Sequence, residues 1–310
     1  MSQPRRRDPL PLGGDQGLPY SKGVMARALI AAGLTPLPAY ELAHRIEADL
    51  RARGAETVDL ERVHELAVET LGLDSAATVV GRLHRYQRLR ELDAPIVVLV
   101  GGATGTGKST VATEIAHRLG ITRVTSTDFV RQTMRAFFSL DFMPSVHYSS
   151  FEAGEALPQA EREAGDPLMI GFVDQTRHVL VGVEAAIERA QHEGWSMVLE
   201  GVHLVPGMLR PPPEGAVFVH VVVAIEDESL HAEHFSIRDT TTGGERPLEK
   251  YLERLGDIRH LQDFIVEQAE KSGVPVIQNG NIEQAIAAVM ELVFERAEAL
   301  TAVGETAGAR

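Results

Sequence analysis

Residues Gly102-Ala103-Thr104-Gly105-Thr106-Gly107-Lys108-Ser109 fit the pattern glycine, four residues, Gly-Lys-Ser, and follow directly on the apolar run 96–100. A buried strand that delivers the chain to a glycine-rich turn and then to a helix is the setting of a P-loop. The glycines let backbone N–H groups converge on phosphate oxygens, and the helix adds its positive N-terminal end. Val111, Ala112, Ile115, Ala116 and Leu119 recur at helical spacing up to Gly120, so the helix is written into the same stretch. The run from Gly102 to Thr110 is therefore the expected site for ATP phosphates. Lys108 is expected to reach the β- and γ-phosphates, and the Ser109 hydroxyl to ligate Mg²⁺.

The flanking sequence extends this frame. Strand candidates 96–100, 122–126, 197–200, 217–225 and 274–278 alternate with helical stretches at about 174–192, 247–271 and 282–300, which predicts a parallel five-stranded α/β sheet. Residues 137–171 and 228–245 have weak periodicity and read as loops for substrate contact. Residues 21–92 are helical in pattern, and the polar link 90–95 ends in Pro95, so the expected division is a helical domain over 1–92 and a P-loop domain over 93–310. The first 20 or so residues, rich in Pro, Gly and Arg, leave room for a small hairpin around Gly13-Gly14.

Charge and composition narrow the partners. A formal net charge of −14 opposes general affinity for nucleic acid or anionic membrane. An anionic substrate must then be held by local arginines and Mg²⁺. Cysteine is absent, which removes disulfides, thiolate catalysis and cysteine-ligated zinc. The start of the chain has no secretory signal and no stretch reaches about 18 uninterrupted apolar residues, so the expected location is cytoplasmic. The sequence leaves a homo-oligomer open.

Beyond the P-loop, the second strand candidate ends in Ser126-Thr127-Asp128, with Arg131 and Arg135 three and seven residues on. Ligands of doubly wound sheets sit beyond the carboxyl ends of strands, so Asp128 is expected to face the phosphates. A helix starting there puts both arginines on the same face. Asp128 would orient or deprotonate an attacking hydroxyl, or hold Mg²⁺-bound water, while the guanidinium groups grip a phosphate or carboxylate. The plain alternative is an N-cap aspartate with two surface arginines. The third strand candidate ends in Glu200, where P-loop enzymes keep an acidic Mg²⁺ partner, followed by Gly201, which admits substrate to the backbone, and His203, either a substrate contact or a packed structural histidine. Arg238 and Arg246 flank a Thr- and Gly-rich stretch suited to a lid that brings arginine to the γ-phosphate; the alternative is a solvated loop. Arg254 and Arg259 are further candidates, whereas His231 and His234 lack a third ligand for zinc.

With Pro19-Tyr20-Ser21-Lys22-Gly23 ahead of the helical stretch, then the P-loop, Ser126-Thr127-Asp128, Glu200-Gly201-Val202-His203 and the 238–259 segment, nearly the whole chain resembles the 2-phosphoglycerate kinases. The resemblance implies an adenylate-kinase-like P-loop fold and Mg²⁺-dependent transfer of the γ-phosphoryl of ATP to the 3-hydroxyl of 2-phosphoglycerate, giving 2,3-bisphosphoglycerate. It also implies that the N-terminal part is similar to an ATP-cone, although Arg5-Arg6-Arg7-Asp8-Pro9-Leu10 stands where that module has an apolar strand. Read from residues alone, two other functions remain. One is a kinase for a nucleoside, a sugar or 3-phosphoglycerate; the other is a nucleotide-sensing regulatory protein.

Overall fold

A computed structural model describes Leu12 and residues 20–163, 165–211, 214–242 and 248–308. These form two compact units: the described residues up to Ala94 with Arg118–Gly120 and those from Met290 on, and the remainder from Pro95 to Val289.

The first unit contains α1 (Lys22–Ala31), α2 (Pro36–Arg53), α3 (Leu60–Leu71) and α4 (Leu73–Glu91). Side chains start two of them: Ser21 accepts from the Val24 amide and Asp59 from that of Arg62. Met25, Leu29, Leu42, Ile46 and Leu83 fill the space between them. The hairpin expected at Gly13-Gly14 lies outside the described residues, although neighbouring Leu12 forms an isolated parallel bridge to Val58.

The second unit is built on β1 (Ile96–Gly101), α5 (Lys108–Leu119), β2 (Val124–Ser126) and α6 (Thr127–Phe137). Then come 3-10 turns at Pro144–His147 and Ser150–Ala156, α7 (Gln159–Arg162), α8 (Pro167–His192), β3 (Met197–Gly201) and β4 (Val217–Ala224). The last elements of this unit are α9 (Glu228–Thr242), α10 (Leu248–Glu253), α11 (Leu255–Ser272) and β5 (Val276–Gln278). All strand pairs are parallel, in the order β2-β3-β1-β4-β5. β1 sits at the centre, which is why every one of its residues is buried and its sequence is apolar without alternation. The chain turns to opposite sides of β1 for β3 and β4, so the carboxyl ends of these strands open the crevice where ligands of such sheets bind.

Three expectations change. Residues 228–242 form a helix, not a loop: Asp227 caps it through the Leu230 amide, and its buried face carries His231 beside Phe235, which hides the apolar period. The helix expected from 174 begins at Pro167, capped by Asp166, so the weakly periodic stretch 137–171 holds two 3-10 turns, the short α7 and the start of α8. The single helix expected over 247–271 is two, parted at Arg254.

The final helix, α12 (Ile282–Gly308), contributes its residues from Met290 on to the helical unit. Within that unit Arg85 reaches Glu298 at 2.7 Å and Glu291, and lies over the Phe294 ring.

Candidate active site

The P-loop leaves the carboxyl end of β1 and enters α5 at Lys108. Gly107 takes φ +81°, and a Cβ there would stand 2.3 Å from the Asn279 side-chain nitrogen, so the turn closes only with glycine. Lys108 Nζ lies 3.3 Å from the Ala103 carbonyl oxygen, which also accepts from Thr106 Oγ1 at 3.0 Å. Ser109 and Thr110 follow on the exposed first turn of α5; Ser109 lines the adjoining cleft and Thr110 does not.

Across that cleft stand the ends of β2 and β3. Ser126 caps α6 through the Phe129 amide, so Asp128 is the second helical residue and not the cap. Arg131 lies one turn on and is 7% exposed against 50% for Asp128. Its Nε and Nη2 both donate to Asp128 Oδ1, at 3.0 and 2.8 Å, while Nη1 donates to the carbonyls of Val146 and Tyr148, both at 2.9 Å. Four of the five guanidinium hydrogens are spent on the protein. Arg131 thus fixes Asp128 where the sequence offered it as an anion clamp. Arg135 is exposed one turn further along α6 and does not line the cleft.

Glu200 pairs in register with Val100 on one side and Ser126 on the other, which centres its carboxylate between the P-loop strand and the Asp128 strand. Gly201 is required by close approach: a Cβ would sit 1.8 Å from Thr127 Oγ1. His203 is 1% exposed, with Nδ1 at 2.9 Å from Thr127 Oγ1 and Nε2 at 2.9 Å from Gln175 Oε1. Gln175 spends both amide hydrogens on the Ser145 and Tyr148 carbonyls, so its oxygen must accept. His203 therefore carries its proton on Nε2, and Thr127 donates to Nδ1. Burial, helped by the nearby Arg131 charge, pushes the His203 pKa down to about 3 and keeps it neutral. Both nitrogens being engaged, His203 orients Thr127 and is no direct hydrogen-bond donor to substrate.

The remaining candidates divide. Arg254 pairs with Glu155 and Asp257. Arg259 caps the end of β4 by donating to the carbonyls of Ile225 and Glu226. Arg238 falls in the last turns of α9, and Arg246 lies outside the described residues. Among the described residues no group of three or more histidine or acidic side chains forms a metal cage. The cleft instead offers the Ser109 hydroxyl and the Glu200 carboxylate. That donor set suits Mg²⁺, which keeps several waters and binds through one or two carboxylates plus substrate phosphates.

Sequence reasoning passed over Gln175 and Asn279. Gln175 had a signal, a polar residue between Phe172 and Val179 on the buried face of α8. Asn279 had one too, the polar run 279–281 at the carboxyl end of β5.

No family model matches the chain. Curated relatives are found along nearly its whole length. The 2-phosphoglycerate kinase of Methanopyrus kandleri is 36% identical over 283 residues, 90% of this chain and 85% of the relative. That of Methanothermobacter thermautotrophicus is 37% identical over 274 residues, 88% and 89% of the two chains. That of Thermococcus kodakarensis is 34% identical over 281 residues, 91% and 94%.

Proposed function

The chain belongs to the 2-phosphoglycerate kinase family, and from that premise we propose that it transfers the γ-phosphoryl of ATP to the 3-hydroxyl of 2-phosphoglycerate, giving ADP and 2,3-bisphosphoglycerate. The observation that carries this reading is that Lys108 and Ser109 share one cleft with Asp128. A phosphate-binding lysine on one wall and a carboxylate on the other are what a kinase needs on the two sides of its transferred group.

In the proposed reaction the loop amides and Lys108 hold the β- and γ-phosphates. Asp128 accepts a hydrogen bond from the acceptor hydroxyl and takes its proton as the oxygen–phosphorus bond forms and the bond to the β-phosphate oxygen breaks. Mg²⁺, held by Ser109 and Glu200 with the nucleotide, would supply positive charge beside the β,γ-phosphate oxygens. Arg135, exposed one helical turn beyond Arg131 and outside the cleft, would reach the acceptor's phosphate or carboxylate by extending its side chain back along α6 toward Asp128. Arg238 and Arg246 read as lid arginines that steady the transferring group and exclude water. Gly201 makes room for the Thr127 side chain, and His203 with Gln175 holds that floor of the cleft. Catalysis then comes mostly from alignment and electrostatics.

In the same reading residues 1–92 are the ATP-cone-like domain and the residues from 93 on the kinase domain, whose final helix lends its part from Met290 on to the helical unit. The protein works in the cytoplasm on a small acid; among the described residues no helix is long and apolar enough to cross a membrane. Incubation with ATP, Mg²⁺ and a panel of 2-phosphoglycerate, 3-phosphoglycerate, glycerate, a sugar and a nucleoside, with products read by mass, tests it. The expected result is 2,3-bisphosphoglycerate from 2-phosphoglycerate alone; ATP binding with no phosphorylated product overturns the reading.

A further inference from the structure

Three successive carbonyls of the P-loop are each taken by a side chain from elsewhere in the fold. His231 Nε2 stands 2.8 Å from the Thr104 oxygen and His234 Nδ1 3.1 Å from the Gly105 oxygen, both reaching from α9. Asn279 Nδ2 stands 2.9 Å from the Thr106 oxygen, just beyond β5. A carbonyl only accepts, so each of these nitrogens carries the hydrogen. The two histidines are thereby fixed in opposite tautomers, His231 protonated on Nε2 and His234 on Nδ1. The peptide bond is planar and trans, so a carbonyl held on one side aims the next residue's N–H to the other. Holding the oxygens of residues 104, 105 and 106 orients the N–H groups of Gly105 and Thr106 away from α9 and that of Gly107 away from Asn279. Those N–H groups form the part of the loop that a phosphate must meet.

Neighbouring contacts brace the clamp. Phe235 stacks on His231 and Tyr251 on Phe235. Asn279 is itself pinned through its amide to the Ala224 carbonyl. His231 and Asn279 are buried and His234 is partly so.

We propose that His231, His234 and Asn279 are positioning residues for the nucleotide, a three-point clamp that pre-aims the P-loop amides. The inference rests on the P-loop being the ATP site, but not on the identity of the acceptor. Pre-aimed amides spare the bound state the cost of ordering the loop, so loosening the clamp weakens nucleotide binding while the acceptor's site is untouched.

The test is the affinity of the full chain for a non-hydrolysable ATP analogue, measured by calorimetry, with the melting temperature of each variant alongside. Asn279→Asp, which turns a donor into a charged acceptor facing a carbonyl, is expected to weaken binding roughly tenfold or more. The histidine variants supply the sharper arm. An asparagine nitrogen falls near the place of a histidine Nδ1, and a glutamine nitrogen near that of Nε2. His234→Asn and His231→Gln are expected to bind the analogue within about twofold of the parent, while His234→Gln and His231→Asn bind it severalfold more weakly. His234 is partly exposed, so its pair remains informative if a change at Asn279 prevents folding. Equal affinity within each pair, or an unchanged affinity in folded Asn279→Asp, overturns the clamp. Loss of 2-phosphoglycerate phosphorylation at saturating ATP in the parent would instead overturn the acceptor assignment and leave the clamp standing.

Discussion

Arg131 places two nitrogens on a single oxygen of Asp128, and with its third holds the carbonyl of Tyr148, which Gln175 also holds. Gln175 passes the connection to His203, and His203 to Thr127, the residue before Asp128. The ring of contacts closes on itself. It ties the ends of β2 and β3 and the turn at Pro144–His147 into one frame, so the carboxylate facing the P-loop is held from several directions.

Arg131→Lys is expected to lower kcat on the order of a hundredfold with little change in the KM for ATP. A single ammonium cannot hold a carboxylate oxygen and two carbonyls in the planar fork that Arg131 uses. Asp128→Asn should cost at least as much, and the double variant no more than the worse single, since Arg131 acts through Asp128. Additive losses in the four-variant cycle would show that Arg131 touches substrate on its own account.

Lys108→Ala is expected to reduce transfer about a thousandfold while the fold persists, because the ammonium neutralises phosphate charge as it shifts toward the β,γ-bridge. Steady-state kinetics with circular dichroism check it. Near-normal turnover in the folded variant would remove Lys108 from the phosphate site.

For Arg135→Ala the expectation is a rise in the KM for 2-phosphoglycerate of about ten- to a hundredfold with the KM for ATP unchanged. A charge-assisted contact to phosphate or carboxylate contributes roughly 1.5–3 kcal/mol. An exposed arginine that meets only water would leave both constants where they were.

The five strands and the P-loop could be read from the chain because each depends on a local pattern: an apolar run such as 96–100, or glycines at fixed offsets before Lys108. Asp128 and Glu200 were legible for the same reason, as acidic residues closing strand candidates. Their partners were not. Arg131 reads as an anion clamp, or plainly as a surface arginine, until the carbonyls of Val146 and Tyr148 arrive beneath it, from a turn whose 3-10 geometry has no periodic signature. His231 and His234 lack a third ligand for a metal and had no other role in the sequence, yet each faces a carbonyl more than a hundred residues away in the chain. α9 was hidden because its buried face is part histidine, and buried polar residues defeat a hydrophobic period.

Stability is expected to fall as pH drops from 7 to 5, and His203 supplies much of the slope. Burial holds its folded pKa near 3, far below the value of about 6.5 that it regains on unfolding. Above pH 6.5 both states leave it neutral and the contribution is complete; below that the unfolded chain takes up a proton that the folded one refuses, so stability is lost progressively toward pH 3. At pH 5 this amounts to about 2 kcal/mol. His220, pushed down to about 4, and His231, pushed down by burial, act in the same sense. The carboxylates Asp49, Glu152 and Asp166, all held below their ordinary values, lose their contributions only at lower pH, so the interval from 7 to 5 isolates the histidines. Urea unfolding of the parent and of His203→Gln across this interval provides the check. The variant starts from lower stability because Thr127 and Gln175 lose their bridge, but its curve should be flatter by about 2 kcal/mol at pH 5. Parallel curves would mean that His203 titrates alike in both states and is not held neutral in the folded protein.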